Sequence, residues 1–272
     1  MATLAERHNV RIRGEGNSVV VFAHGFGCDQ LVWKDVAPAF EGDHRVLLFD
    51  LAGLGRADPE LYDRQRHSTL DGYALDLIAL LDSMGLSQVH LVAHSVSTMI
   101  AALAAIRRPD LFASIVMIGP SACYLNDDGY RGGFEREMLD QLIDLLEANF
   151  VDWARVFAPI VIGNPDRPKF TDDFVETLCR ADPQFATPFA RVTFFSDCRE
   201  DMPKVGVPVT ILQCQEDPVA PEPAIAFVHE TIPGSRLVRL EATGHCPHIT
   251  HPEETAETVR RALTDVAPAA GT

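Results

Sequence analysis

Ser95, Asp217 and His245 lie far apart in the 272-residue chain, yet each has the type and local context that nucleophilic acyl chemistry requires. Ser95 sits in Ala93-His94-Ser95-Val96-Ser97, directly after the strand-like VHLVA and at the start of a helical pattern. A sharp strand-to-helix turn there lifts the serine hydroxyl clear of the backbone, and it demands small residues two places to either side. Ala93 and Ser97 meet that demand. The helix that follows directs its N-terminal dipole at negative charge near Ser95. A serine hydroxyl is a weak nucleophile until a base removes its proton. His245, preceded by a flexible Gly244 in ATGHCPH, is the candidate base, with His248 as its competitor. Asp217, in the loop QEDPV after the strand-like VTILQC, is the candidate acid that orients the imidazole, with Glu216 as the alternative. A serine that merely caps a helix would share the first motif, but not the histidine and aspartate loops in this order.

Acyl transfer also needs two fixed donors aimed at the developing oxyanion. The Val96 N–H follows the serine, and the Phe26 N–H lies in VVVFAHGFGCDQ, where Gly25 and Gly27 let the backbone approach a substrate. His24 reads as a buttress of that loop, and Asp50, in FDLAGLGRAD, as a structural hydrogen-bonding carboxylate.

The elements that position these residues alternate. Apolar, β-rich runs at Asn9–Arg13, Ser18–Ala23, Arg45–Asp50, Val89–Ala93, Ile115–Gly119, Val209–Cys214 and Arg236–Leu240 read as strands. Runs such as VVVFA lack alternation, as in strands covered on both faces. Helical spacing appears over Thr69–Met84, Ser97–Arg107 and Pro252–Val266. The alternation predicts an α/β fold with a mostly parallel, doubly wound sheet. Between Cys123 and Arg199 the strand pattern stops, and four helical patterns follow: Phe134–Asn149, Val151–Val161, Thr171–Ala181 and Pro183–Ser196. We therefore expect a core from residues 1–122 and 200–272, and a helical lid from 123–199, inserted before the last strands. Ligands of such sheets bind at the carboxyl edge that this lid would cover. After Val266 an Ala/Pro/Gly tail reads as frayed.

A net charge of −16 argues against nucleic acid and against anionic membrane surfaces. The first residues show no signal peptide, and no apolar stretch is long enough to span a bilayer. The six cysteines show no CxxC spacing, so neither a metal site nor a disulfide framework is expected, and a cytoplasmic location fits. No motif calls for a cofactor.

HGFGCDQLVW, FDLAGLGRAD, HSVSTMI, DPVAP and GHCPHITHP together resemble the RsbQ-type hydrolases of bacteria, relatives of the plant karrikin and strigolactone receptors. The resemblance runs over nearly the whole chain and departs from the family pattern at Ala93, at Leu54 and around Cys246. It implies an α/β-hydrolase fold, a Ser-Asp-His triad, a V-shaped lid of four helices and a deep apolar pocket. Members act on small lactones or esters, and several signal through a protein partner. The chain has fifteen phenylalanines against four tyrosines and two tryptophans. Phe134, Phe157, Phe174 and Phe194 fall in the lid, and with Phe26 and Val219 they are the expected pocket walls, although helix packing would explain any one of them equally well. Two functions follow as expectations. One is a cofactor-free serine hydrolase of a small, mostly apolar ester or lactone. The other is a ligand sensor that acts through a regulatory protein partner. Perhydrolase or C–C hydrolysis on the same triad stays open, whereas aspartate-nucleophile chemistry does not, because the turn carries serine.

Overall fold

The computed structural model describes residues 2–265. Its strands are β1 (Arg11–Arg13), β2 (Ser18–Ala23), β3 (His44–Leu48), β4 (Val89–His94), β5 (Phe112–Ile118), β6 (Val209–Gln213) and β7 (Arg236–Arg239). They form one seven-stranded sheet in the order β1-β3-β2-β4-β5-β6-β7. Only β1 runs antiparallel, against β3. The remaining neighbours pair in parallel. Every residue of β6 is buried, as are all of β2 after Ser18, because helices cover both faces and leave no strand side for water.

Before β5 the helices are α1 (Leu4–Arg7), α2 (Leu70–Ser83) and α3 (Val96–Arg107), and after β6 they are α8 (Glu222–Thr231), α9 (Pro247–Thr250) and α10 (Pro252–Thr264). The alanines of α3 at 101, 102, 104 and 105 are all buried, and such small residues allow close packing against β4, β5 and α2. Helix α10 turns Thr255, Ala256, Val259, Ala262 and Leu263 inward at helical spacing and leaves its charged face outside.

Between β5 and β6 the chain forms α4 (Arg136–Ala148), α5 (Phe150–Ile162), α6 (Pro168–Cys179) and α7 (Pro183–Phe195). Leu139, Ile143 and Leu146 make the buried stripe of α4, which packs on α5 and α7. Asn149 and Asp182 cap α5 and α7 through their side chains, and Gly163 ends α5 in the left-handed conformation. The two ends of this excursion meet, since Cys123 and Asp197 form an antiparallel bridge and the Cys198 N–H donates to the Ala122 carbonyl at 2.7 Å.

Strand and helix expectations shift by a few residues at their ends. Strand β1 begins only at Arg11, because Asn9 turns to φ 50° and its side chain donates to Asp50 Oδ2. Strand β5 begins earlier than the apolar run, at Phe112. Val266, the expected end of the last helix, and the tail beyond it lie outside the described residues. Among the described residues, no helix is long and apolar enough to cross a membrane.

Candidate active site

Ser95 stands at the carboxyl end of β4 with φ 55° and ψ −128°, a region that side chains rarely enter. Its neighbours hold the turn on every side. The Ser95 N–H donates to the Ile118 carbonyl at 2.9 Å, and Thr98 returns both its N–H and its hydroxyl to the Ser95 carbonyl. Ala93 is fully buried, as the tight turn requires. Ser97 serves in a way its size alone did not reveal, because its hydroxyl donates to the His24 carbonyl and ties the turn to the end of β2.

His245 Nε2 lies 2.8 Å from Ser95 Oγ, and His245 Nδ1 lies 2.8 Å from Asp217 Oδ2. With Nδ1–H donating to the carboxylate, Nε2 is free to accept the serine proton. The other oxygen of Asp217 accepts the N–H groups of Val219 and Ala220, each at 2.9 Å. The competitors fall away on position. Glu216 is exposed, and only its backbone takes part, accepting from the Gly244 N–H. His248 has neither ring nitrogen bonded, packs on Trp33 with ring centroids 4.5 Å apart, and is pushed down to about 3 by burial.

Two glycines make room for this chain of groups. Gly244 has φ +81°, and a Cβ there would strike the Ile162 carbonyl. Gly119, which follows β5 and was expected only as a strand end, has φ +58°; a Cβ there would come within 3.0 Å of His245 Cε1 and 3.2 Å of Asp217 Oδ2. Helix α5 reaches the same loop, since the His245 N–H donates to the Val161 carbonyl at 2.8 Å. Asn164 spans the joint, donating to the carbonyls of Ile162 and Thr243.

The Phe26 N–H donates to no backbone group among the described residues, and the Val96 N–H opens α3, where no intrahelical acceptor exists. His24 buttresses the loop as expected: it receives the Leu51 N–H on Nε2 and bonds the Gly25 carbonyl through Nδ1. Asp50 is likewise structural, accepting from the amides of Gln30 and Arg56 and the side chain of Asn9.

Above Ser95 lies a cavity of about 20 Å³, lined by Phe26, Phe157, Phe174, Phe194 and Val219 among others. That volume holds about one water molecule. Phe134 is a correction. It is buried but stands behind Phe194, with ring centroids 6.1 Å apart, and supports the wall without lining the cavity. Two lining residues that the sequence did not single out are Thr193 and Val161. Tyr124 was also missed. Its hydroxyl lies 3.4 Å from Ser95 Oγ, and full burial pushes its pKa upward, so the phenol stays neutral.

Cys246, beside the candidate base, is wholly buried, and that burial pushes its thiol well up and keeps it protonated. With His94 and His248 it forms a buried group whose ligand atoms all lie within 4.8 Å of one another, and Cys246 Sγ is 4.0 Å from His94 Nε2. Tetrahedral zinc holds its ligands roughly 3.5 Å apart. The His94 Nε2 is also engaged, bonded to the His245 carbonyl at 2.9 Å. The group therefore fits a steric and hydrogen-bonding support of the His245 loop better than a zinc centre. All six cysteines are free.

The alpha/beta hydrolase family model matches residues 20–258. The karrikin insensitive 2 receptor CA of Petunia hybrida is 41% identical over 93% of this chain and 94% of its own. Strigolactone esterase D14 of Arabidopsis thaliana is 37% identical over 96% and 97%. Among solved structures, a hydrolase from Oleispira antarctica superposes with a TM-score of 0.94 at 36% identity, covering 96% of both chains. An enol-lactonase from Burkholderia xenovorans shares the fold at a TM-score of 0.81 and 19% identity, over 94% of this chain and 96% of its own. The kinship suggested by HSVS and HGFG is thus found, and the chain belongs to the alpha/beta hydrolase family as a hydrolase.

Proposed function

We propose that the protein is a cofactor-free serine hydrolase that cleaves a small, mostly apolar ester or lactone through an acyl-enzyme on Ser95. The observation that carries this reading is the unbroken hydrogen-bonded series Ser95–His245–Asp217 on the floor of an aromatic cavity. Ser95 Oγ attacks the carbonyl carbon while its proton passes to His245 Nε2. Asp217 holds the imidazole in the required tautomer and stabilises its charged form. The tetrahedral oxyanion is received by the N–H groups of Phe26 and Val96. Collapse expels the alcohol oxygen, which takes the proton from His245. Water deprotonated by His245 then attacks the acyl-enzyme, and the released acid leaves Ser95 protonated again.

Among the described residues lining the cavity there is no Lys or Arg, which supports a neutral substrate. A ring-sized ester exceeds about 20 Å³, so entry requires the helices above to yield. That need supports treating residues 123–199 as a lid on a core formed by 1–122 and 200–272. Intact-protein mass spectrometry after mixing with p-nitrophenyl acetate and with a butenolide tests the reading. A transient acyl adduct on the wild type, absent from Ser95→Ala, is expected; hydrolysis retained by Ser95→Ala would sink it.

A second reading is favoured by one observation, the 41% identity to a protein named as a receptor. In it, hydrolysis is slow and the lid reports occupancy to a regulatory protein partner. Ligand-dependent capture of a partner would support it, and rapid turnover indifferent to any partner would count against it.

A further inference from the structure

Two polar groups in the cavity wall, Thr193 Oγ1 and His94 Nδ1, have nothing to bond among the described residues. Thr193, on α7, is 1% exposed and lines the cavity, and its hydroxyl has no hydrogen-bond partner. A helical threonine usually satisfies its hydroxyl on the carbonyl one turn back, here that of Phe189, and this bond is not made. Ser95 Oγ bonds His245, and His245 bonds Asp217. His94 Nδ1 is also unpartnered, but the oxyanion loop roofs it: a Cβ on Gly25 would stand 2.7 Å away. Valine has the shape of threonine without the oxygen, so apolar packing alone does not explain a hydroxyl at this place. The cavity it lines is walled mainly by the rings of Phe26, Phe157, Phe174 and Phe194, with Ser95, His94, His245, Cys28 and Cys246 making up its polar side.

We propose that Thr193 is the polar anchor of the ligand cavity, donating its hydroxyl hydrogen to a second acceptor oxygen of the substrate. That oxygen is distinct from the ester carbonyl attacked by Ser95. The favoured substrates are then small apolar esters or lactones that carry one further ether or carbonyl oxygen, in preference to hydrocarbon analogues of the same size. The anchor lies on α7 and the nucleophile on the sheet, so a ligand that reaches both joins lid to core. This proposal rests on the assignment of the cavity as the substrate site.

The matched probes are 4-methoxyphenyl acetate and 4-ethylphenyl acetate, equal in size and differing by one ether oxygen. Their affinities are measured by calorimetry on Ser95→Ala protein, with and without Thr193→Val or Thr193→Ser. The methoxy ester should bind more tightly than the ethyl ester, and Thr193→Val should cut that ratio by about threefold to tenfold, the worth of one neutral hydrogen bond. Thr193→Ser, which keeps the hydroxyl, should keep the preference. The Tm of Thr193→Val should rise, because a buried unpartnered hydroxyl is removed. A ratio unaltered by Thr193→Val, no binding of either ester, or a fall in Tm would overturn the anchor. Hydrolysis of the esters by Ser95→Ala protein would instead overturn the nucleophile, and the same ratio would then be read from kcat/KM.

Discussion

Asp217 commits both carboxylate oxygens to fixed partners: Oδ1 takes two backbone N–H groups and Oδ2 takes the imidazole. The carboxylate is therefore held in place before any substrate arrives, and its catalytic share in the proposed mechanism is to fix the His245 tautomer. Asp217→Asn should keep the fold and lower kcat by about 10³- to 10⁴-fold, because an amide can present its N–H to Nδ1 and reverse the tautomer. Steady-state kinetics beside a circular dichroism spectrum checks this, and a drop under tenfold would contradict it. At this scale the sequence was legible wherever a residue declares itself through its immediate neighbours. Small residues around Ser95, Gly244 before His245 and the Asp-Pro-Val loop did so. Tyr124, Gly119 and Thr193 did not, because each matters through what stands opposite it in space. Phe134 failed for the complementary reason: a lid phenylalanine is equally suited to the wall and to the layer behind it.

At the element scale, helix α5 and the loop that carries His245 are joined directly. The last turn of α5 has carbonyls without intrahelical partners, and the His245 N–H occupies the one on Val161. Asn164, just past the end of α5 and 4% exposed, closes the joint by donating to Ile162 and Thr243. Asn164→Ala should cost about 1–3 kcal/mol of stability by leaving buried carbonyls unpaired, and it should also lower kcat by loosening His245. Urea unfolding and kinetics on the same variant test both parts; a stability loss with kcat untouched would separate the joint from the chemistry. Gly119→Ala is the sheet-side counterpart. It forces an alanine to φ +58° and crowds His245 and Asp217, so it should destabilise by about 1 kcal/mol or more and depress kcat more than KM. All seven strands and the four lid helices could be found from apolar runs and helical spacing, with only their ends displaced. The contact between Val161 and His245 joins residues far apart in the chain, and no local pattern encodes it.

For the molecule as a whole, two buried imidazoles add to the response to acid. His94 packs against both His245 and His248, and burial lowers His94 well below its ordinary pKa and His248 to about 3. Both stay neutral in the folded protein, whereas in the unfolded chain they protonate below about 6.5. The unfolded state then binds more protons, so the His248 share of stability is fully present above about 6.5 and declines as pH falls toward 3, by up to about 1.4 kcal/mol per pH unit, and His94 acts in the same direction. His248→Gln should flatten this acid limb by one histidine's share, read as unfolding free energy between about pH 7 and pH 4. An unchanged slope would contradict the account. The net charge of −16 adds a surface that repels other acidic surfaces. The central claim, an acyl-enzyme on Ser95, is tested most directly by rapid-quench mass spectrometry of the protein mixed with p-nitrophenyl acetate, followed by peptide mapping. The account predicts a transient gain of one acetyl group on the peptide that carries Ser95, and none in Ser95→Ala. Acetylation elsewhere, or turnover that survives in Ser95→Ala, would contradict it.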